Sequence, residues 1–378
     1  MRNTNKAIGF LAGVLLFGGA QAQSAVTLYG VIDTGLMYVH HSQGQTNQYL
    51  MSTGILSGSR WGVKGSEDLG GGLAAVFQLE NGFNSGTGQF FQGGRMFGRQ
   101  AYVGLSGKDT WGTLTFGRQY DPLVDKVQPV QGDNWLAGFF IAPGDVDNSD
   151  NSVRFNNAVK WVSPVWGGLQ VEAMYSLGGI AGATGSGQTY SAAAGWSGGP
   201  VNVAAGYMHV DNGNATLSTR GTTTADSFFN SSVNAAYATA RSINIGRAGG
   251  NYAFGPVIVG GYYSYSEYNP DASSTFTRSE KYHNGSVYAV WNITPALLTE
   301  IGYNYMRSLG DSSAKRHQVA LGADYNLSKR TDVYGVVAYA HATGTDGKGV
   351  AQAVIGSEDI DAGKPSQVMA TVGIRHKF

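Results

Sequence analysis

The chain has 378 residues with 25 basic and 25 acidic side chains, so it carries no bulk positive charge of the kind that draws nucleic acid. It contains no cysteine, which excludes a disulfide framework and any thiolate metal site. Fifty-seven glycines, 21 tyrosines and only 9 prolines, with no Gly-X-Y period or low-complexity tract, mark an all-β composition.

The first 22 residues join a basic start (Arg2, Lys6) to an apolar stretch from Ala7 to Phe17, with Ala20 and Ala22 flanking Gln21. This pattern predicts a cleaved secretory signal peptide over 1–22, because the apolar stretch falls short of the roughly 20 residues a spanning helix needs. Cleavage removes Arg2 and Lys6, leaving 23 basic against 25 acidic residues in 23–378, a net charge of −2. No linker or composition break divides the remainder, which reads as one domain.

From residue 24 onward the sequence shows sixteen strand-like runs: 24–41, 57–66, 71–83, 96–107, 111–119, 152–162, 168–178, 188–197, 201–211, 240–253, 257–268, 281–292, 296–307, 315–327, 331–342 and 366–378. Every second join is a tight turn, while the others lengthen up to 119–151 and 211–239. A soluble sandwich has no reason to sort its joins by length, whereas a barrel threaded through a membrane has a short-turn side and a long-loop side. Closure follows because lipid offers no hydrogen bonds to an open sheet edge. The last run alternates Val368, Ala370, Val372, Ile374 and Phe378 against Thr371, Gly373, Arg375 and Lys377, one face for lipid and one for water. Trp111, Trp166, Trp196 and Trp291 all fall at short turns, as an interfacial aromatic girdle requires. Sixteen strands enclose an aqueous channel, where eight would be filled by side chains.

The segment 119–151 lacks a strand period and carries Asp121, Asp125, Asp133, Asp145, Asp147 and Asp150 with only Lys126 to oppose them. Arg60, Lys64, Arg95, Arg99, Arg118, Arg154 and Lys160 lie on neighbouring runs. An acidic loop folded inward against this basic wall sets up a transverse field, which selects solutes by size and sign. Alternation places Arg60 with Lys64, and Arg154 with Lys160, on the lumen face. Arg118 shares parity with Leu114 and Phe116, so it faces lipid unless the strand bulges at Gly117. A lipid-facing arginine costs about 2–4 kcal/mol near the midplane, which favours the bulge.

The seven histidines are scattered without HExxH or Gly-x-Ser-x-Gly context, so no catalytic residues are assigned. Asp145, Asp147 and Asp150 form a weak calcium candidate, lacking the glycine and glutamate of a calcium loop. Tyr262, Tyr263, Tyr265 and Tyr268 fit either an aromatic belt or the aromatic track of a sugar channel.

Several segments together resemble one family: VTLYGVID (Val26 to Asp33), SRWGVKGSEDLGGG (Ser59 to Gly72), RQAYVGLSG (Arg99 to Gly107), GTLTFGR (Gly112 to Arg118), NLSKRT (Asn326 to Thr331) and the ending GIRHKF (Gly373 to Phe378). Over its whole mature length the chain resembles the general diffusion porins of Gram-negative bacteria, in particular the neisserial-type, betaproteobacterial branch. The resemblance implies a 16-stranded antiparallel transmembrane β-barrel with an inward-folded third loop, assembled as a homotrimer in the outer membrane. It implies a passive channel for ions and small hydrophilic solutes, with no cofactor and no turnover. Its partners would be outer-membrane lipid, lipopolysaccharide and the barrel-assembly machinery, which reads Phe378 as a signal. Carried over by position, the eyelet arginines fall on Arg60, Arg118 and Arg154, with Arg99 in the fourth-strand segment. There Gln100 replaces a second basic residue, which weakens the expectation of strong anion selectivity. The alternatives are a substrate-specific channel for a sugar or organic anion, and a barrel serving mainly as an adhesin.

Overall fold

The computed structural model describes residues 25–213 and 228–378, so the expected signal peptide lies outside the described residues. Seventeen strands form one antiparallel sheet. In chain order they begin with β1 (Ala25–Ser42), β2 (Gln45–Thr53), β3 (Arg60–Gly70), β4 (Leu73–Gly82), β5 (Gln100–Ser106) and β6 (Thr113–Gln119). Then come β7 (Phe155–Val162), β8 (Leu169–Ser176), β9 (Thr189–Gly198), β10 (Val201–Asp211), β11 (Ser242–Phe254) and β12 (Val257–Asn269). The series ends with β13 (Glu280–Asn292), β14 (Leu297–Leu309), β15 (Lys315–Asn326), β16 (Thr331–Thr343) and β19 (Ser366–Lys377), after a two-residue-strand hairpin, β17 (Thr345–Asp346) with β18 (Gly349–Val350).

β1 pairs with β19 from Val31↔Lys377 to His40↔Val368, which closes the sheet into a barrel and leaves no edge in the membrane. The closure ends at the carboxyl terminus, where Gly30 and Phe378 exchange two backbone bonds of 3.0 Å. A Cβ on Gly30 would sit 2.2 Å from the Phe378 ring, so the ring needs glycine beneath it.

The barrel has sixteen staves because β2 and β3 share one. β2 pairs with the upper half of β1 and β3 with its lower half, and both run in the same direction. Asp33 holds the break between them. Its carboxylate accepts the N–H groups of Leu56 (2.7 Å) and Ser57 (2.8 Å) and the Tyr334 hydroxyl (2.6 Å), while its own N–H donates to Ser59 Oγ. The join expected at 41–57 is therefore a two-residue turn, Gln43 and Gly44 at φ 51° and 81°, followed by a strand. Thr46, Gln48, Leu50 and Ser52 oppose Asn47, Tyr49 and Met51, so polar and apolar residues mix on both faces and hide the period of two.

Outward side chains form an apolar band that includes Leu28, Leu36, Val103, Phe116, Val287, Ile301 and Leu321. Trp111, Trp166, Trp196 and Trp291 are exposed together at the short-turn rim, where an indole bridges hydrocarbon and headgroups. The inner face is less uniform. Met208, Ile243, Ile245, Tyr268, Tyr282 and Met306 point inward and are buried, because the segment between β6 and β7 folds into the barrel and covers them with Leu123, Ala142 and Val146.

Asp33→Ala removes the acceptor for the buried Leu56 N–H, the part-buried Ser57 N–H and the Tyr334 hydroxyl, each left unsatisfied at about 1–3 kcal/mol. We expect a barrel that assembles but unfolds at clearly lower urea concentration in lipid vesicles, by about 3–9 kcal/mol in total. A midpoint equal to the parent's would show that the stave break is held by other contacts.

Candidate functional site

The inward segment starts where β6 bulges. Gly117 adopts φ 140° and the register to β7 slips between Gly117 and Gln119, so Arg118 turns inward instead of facing lipid. α1 (Pro122–Lys126) follows, capped by Asp121, whose carboxylate accepts the N–H groups of Leu123 (2.8 Å) and Val124 (3.3 Å). Two ion pairs clamp this helix to the wall: Lys160 of β7 to Asp125, and Lys126 to Glu172 of β8 at 2.9 Å. Through α2 (Asp133–Leu136) and beyond, starting at Val130, the loop runs along the far wall, which bonds to its backbone. Tyr288 donates to Val130 O (2.8 Å), Glu300 accepts Leu136 N–H (3.0 Å), Tyr262 accepts Ala142 N–H (3.1 Å) and Tyr268 donates to Val146 O (2.9 Å).

The space left open is a cavity of about 1030 Å³. The barrel wall and the segments just before β5 and β7 contribute Arg60, Arg95, Arg99 and Arg154 to its lining, and the inward segments contribute Asp125, Asp133, Asp150, Glu358 and Asp359. The basic side is ordered by Glu80 of β4, a buried carboxylate that accepts from Arg99 Nε (2.8 Å), the Tyr120 hydroxyl (2.9 Å) and the Tyr29 hydroxyl (2.9 Å), with Arg60 Nε at 3.6 Å. Arg99 and Arg154 both sit over one ring, their guanidinium carbons 5.7 and 5.5 Å from the centre of Tyr120. Each gains a cation–π contact.

The expected site residues separate into groups. Arg60, Arg99, Arg154, Asp125, Asp133 and Asp150 come together around the cavity. Arg118 does not line it: its guanidinium donates to Gly98 O (2.7 Å), Arg154 O (3.3 Å) and Asn156 Oδ1 (2.7 Å), bracing the strands beneath the loop. Lys160 serves the helix clamp. Lys64 lies four residues toward the short-turn rim, its ammonium 5.2 Å from the centre of the Tyr29 ring. Arg154 precedes β7 rather than lying on it, and Asn157 inside β7 has φ 54°, so parity between Arg154 and Lys160 does not hold.

Asp121, Asp145 and Asp147 are buried in the loop's own turns. Asp145 accepts from Asp150 N (2.9 Å), Ser152 N (3.2 Å) and Ser149 Oγ (3.2 Å), and Asp147 from Ser149 N (3.2 Å). Among the described residues no group of three or more His, Cys, Asp or Glu side chains is arranged to hold a metal ion. The tyrosine run makes no track along the lumen either. Tyr262 and Tyr268 are under the loop, and Tyr263 is half exposed on the outer face.

Glu80, Tyr120, Glu358 and Asp359 were not expected. Glu80 has the inward parity of Gln78 on a run named from its alternation, so pairing it with the basic wall was within reach. Glu358 and Asp359 come from 344–365, whose backbone meets the inward loop at Gly144 N to Gly356 O (2.8 Å) and whose Ser357 hydroxyl donates to Asp150. Burial in the lumen pushes the Glu358 carboxyl up to about 8 and that of Asp359 to about 6, with the Asp150 charge adding to both.

A profile of the Gram-negative porins matches residues 11–345. The chain is 29% identical over 387 residues to outer membrane porin protein 32 of Delftia acidovorans, covering 99% of each chain. It is 42% identical over 191 residues to an outer membrane porin protein of Bordetella pertussis, a match spanning 48% of that protein and 47% of this one. An anion-selective porin from Comamonas acidovorans superposes with a TM-score of 0.72 at 25% identity, over 94% of this chain and all of that one.

Glu80→Gln keeps the shape at the basic side but removes the charge that Arg60 and Arg99 share. We expect the reversal potential across planar bilayers in a potassium chloride gradient to move toward anions, because the wall gains a net positive charge. A shift toward cations would mean that the arginines need Glu80 to reach the channel.

Proposed function

The chain belongs to the Gram-negative porin family and is a diffusion channel of the outer membrane, not an enzyme; we propose that its selectivity is set by Arg60, Arg99 and Arg154 facing Asp125, Asp133 and Asp150. The observation that carries this reading is the sorting of charge by origin around the open cavity, arginines from β3 and the loop bases and carboxylates from two inward loops. A polar solute crossing such a gap turns its dipole along the field, and a low-dielectric protein wall concentrates that field. Ions divide: anions follow the arginines and cations the carboxylates, and the wider or more highly charged track carries more current.

The basic side is the stronger one. Asp125 is paired with Lys160, and burial raises the carboxyl pKa of Asp133 and Asp150 from the ordinary carboxylate value. We therefore assign a moderate preference for anions, among ions and small hydrophilic solutes. The anion selectivity of the Comamonas porin supports this direction. An apolar patch on the outer wall, built from Leu36, Tyr49, Met51 and Val372 at the β1, β2 and β19 seam, supports assembly with further copies, for which we propose a homotrimer. Phe378, docked on Gly30 with a part-exposed ring, is proposed as the residue read by the barrel-assembly machinery.

Two measurements test the assignment. Arg60→Gln with Arg154→Gln should move the reversal potential toward cations. At about 8 Å and an effective dielectric of about 40, each charge contributes about 1 kcal/mol, or about fivefold in the permeability ratio. An unchanged potential overturns the role of these arginines. The pH dependence has a definite sign: from pH 9 to pH 6 Glu358 and then Asp359 take up protons, so the acidic side loses charge and anion preference rises. A potential that stays level, or falls toward cations, places those carboxylates outside the conducting path.

A further inference from the structure

The long-loop end of β1 breaks the alternation of its own strand. Met37 and Val39 face inward and are buried, while Leu36 and Tyr38 face outward, so His40 belongs with the outward set and His41 with the inward one. Instead the two rings lie side by side, 4.1 Å between centres with their planes 34° apart. The backbone makes the exception, because His41 adopts φ 62°. A residue other than glycine held there costs about 1–3 kcal/mol, and a pair of stacked rings returns about 0.5–1.5 kcal/mol. Ring contact alone does not offset the strain. The surroundings hold it in place: Gln367 donates to His41 O (3.0 Å), and the turn that follows is bonded at Gln43 N to Asp361 O (2.7 Å) and at Gly44 N to Ala362 O (2.9 Å).

Both rings are also oriented. His41 Nδ1 lies 2.8 Å from Ser366 O on β19, and a carbonyl only accepts, so Nδ1 carries the proton and Nε2 keeps its lone pair. His40 Nδ1 is 3.5 Å from Asn47 Oδ1, which also takes the Tyr38 hydroxyl at 2.7 Å. That contact is long, but it turns Nδ1 toward β2 and leaves Nε2 for the outside.

We propose that His40 and His41 form a two-histidine site for a late first-row transition-metal ion, Cu²⁺ ahead of Ni²⁺ and Zn²⁺. Imidazole nitrogens bind such ions at about 2.0–2.1 Å, and affinity along the series peaks at copper. A ligating histidine commonly donates its other N–H to a backbone carbonyl, which fixes tautomer and ring together, and His41 does so. Two nitrogens on one ion stand about 3 Å apart, within reach of rings already this close. Among the described residues no group of three His, Cys, Asp or Glu side chains is arranged around a metal, so water fills the remaining positions. Ca²⁺ and Mg²⁺ do not suit the pair, because they select oxygen. Both histidines are half-buried at the end of the outer wall, beyond the apolar patch of the β1, β2 and β19 seam, and are open to the medium.

The test titrates Cu²⁺, Ni²⁺ and Zn²⁺ into the full protein in detergent, without an affinity tag, with bound metal followed by equilibrium dialysis and Cu²⁺ by electron paramagnetic resonance. We expect one Cu²⁺ per chain with the signature of two nitrogen ligands, bound more tightly than Ni²⁺ or Zn²⁺. Groups that only orient a metal ligand are worth about 10–100-fold in affinity, so loss of a ligand should cost no less than about tenfold. His40→Ala and His41→Asn should each show that loss. Asparagine tolerates the left-handed backbone, so the second variant keeps the strand's shape. His283→Ala, on β13, should bind as the parent does. Single-channel conductance of all three should match the parent, which separates a lost site from a lost barrel and keeps this proposal apart from the channel assignment. No copper on the parent, a copper signal without two nitrogens, binding that survives in His40→Ala/His41→Asn, or an equal loss in His283→Ala would overturn it.

Discussion

Hydrocarbon offers a peptide group no hydrogen bond, and this requirement shapes the molecule. It forces the first strand to meet the last, so the seam between β1 and β19, finished by the mutual bonds of Gly30 and Phe378, is a condition for the rest. It also explains why the one interrupted stave needs a buried carboxylate. Where β2 stops and β3 has not begun, the backbone between them has no ladder, and Asp33 supplies the missing acceptor from inside the barrel.

A closed cylinder of sixteen staves is wider than a selective channel needs, so the chain narrows it from within. The inward segment is held at both faces by different forces. On the β7 and β8 side, Lys160 and Glu172 take the charges of α1. On the β12 to β14 side, tyrosine hydroxyls and Glu300 satisfy its backbone above an apolar floor. Ion pairs alone in a wet lumen would contribute little, since water and salt screen them. The buried floor adds the larger share, at roughly 25 cal/mol per Å² of apolar area covered. The loop therefore behaves as part of the wall, and the cavity keeps its shape while solutes pass.

The barrel was legible in the sequence because each strand face meets a different solvent, and alternation records that. It failed where both faces see mixed surroundings, as in 45–53. The constriction was legible as composition, aspartates in one segment and arginines around it, but not as geometry. Nothing local distinguishes Asp125, which lines the cavity, from Asp121, which caps a helix, since both roles call for a short carboxylate. Arg118 shows the limit of parity: the expected bulge at Gly117 does turn it inward, yet three carbonyl acceptors then hold it out of the channel. Glu358 and Asp359 were hidden for another reason, because they reach the site from a segment more than two hundred residues away in the chain, and only the closed barrel brings them near Asp150.

The basic side shows how arginines can crowd without neutralising one another. Glu80 shares one negative charge between Arg60 and Arg99, and the Tyr120 ring attracts both Arg99 and Arg154. Counted over Glu80 and the three arginines, three positive charges stand against one negative, so the cluster keeps a net positive field while each guanidinium has a partner that fixes its direction. A wall of unpartnered arginines would be mobile and would be quenched by bound counterions. One fully paired would be rigid and electrically silent. Conduction with a preference for one sign needs the intermediate state, and a single buried carboxylate among three arginines supplies it.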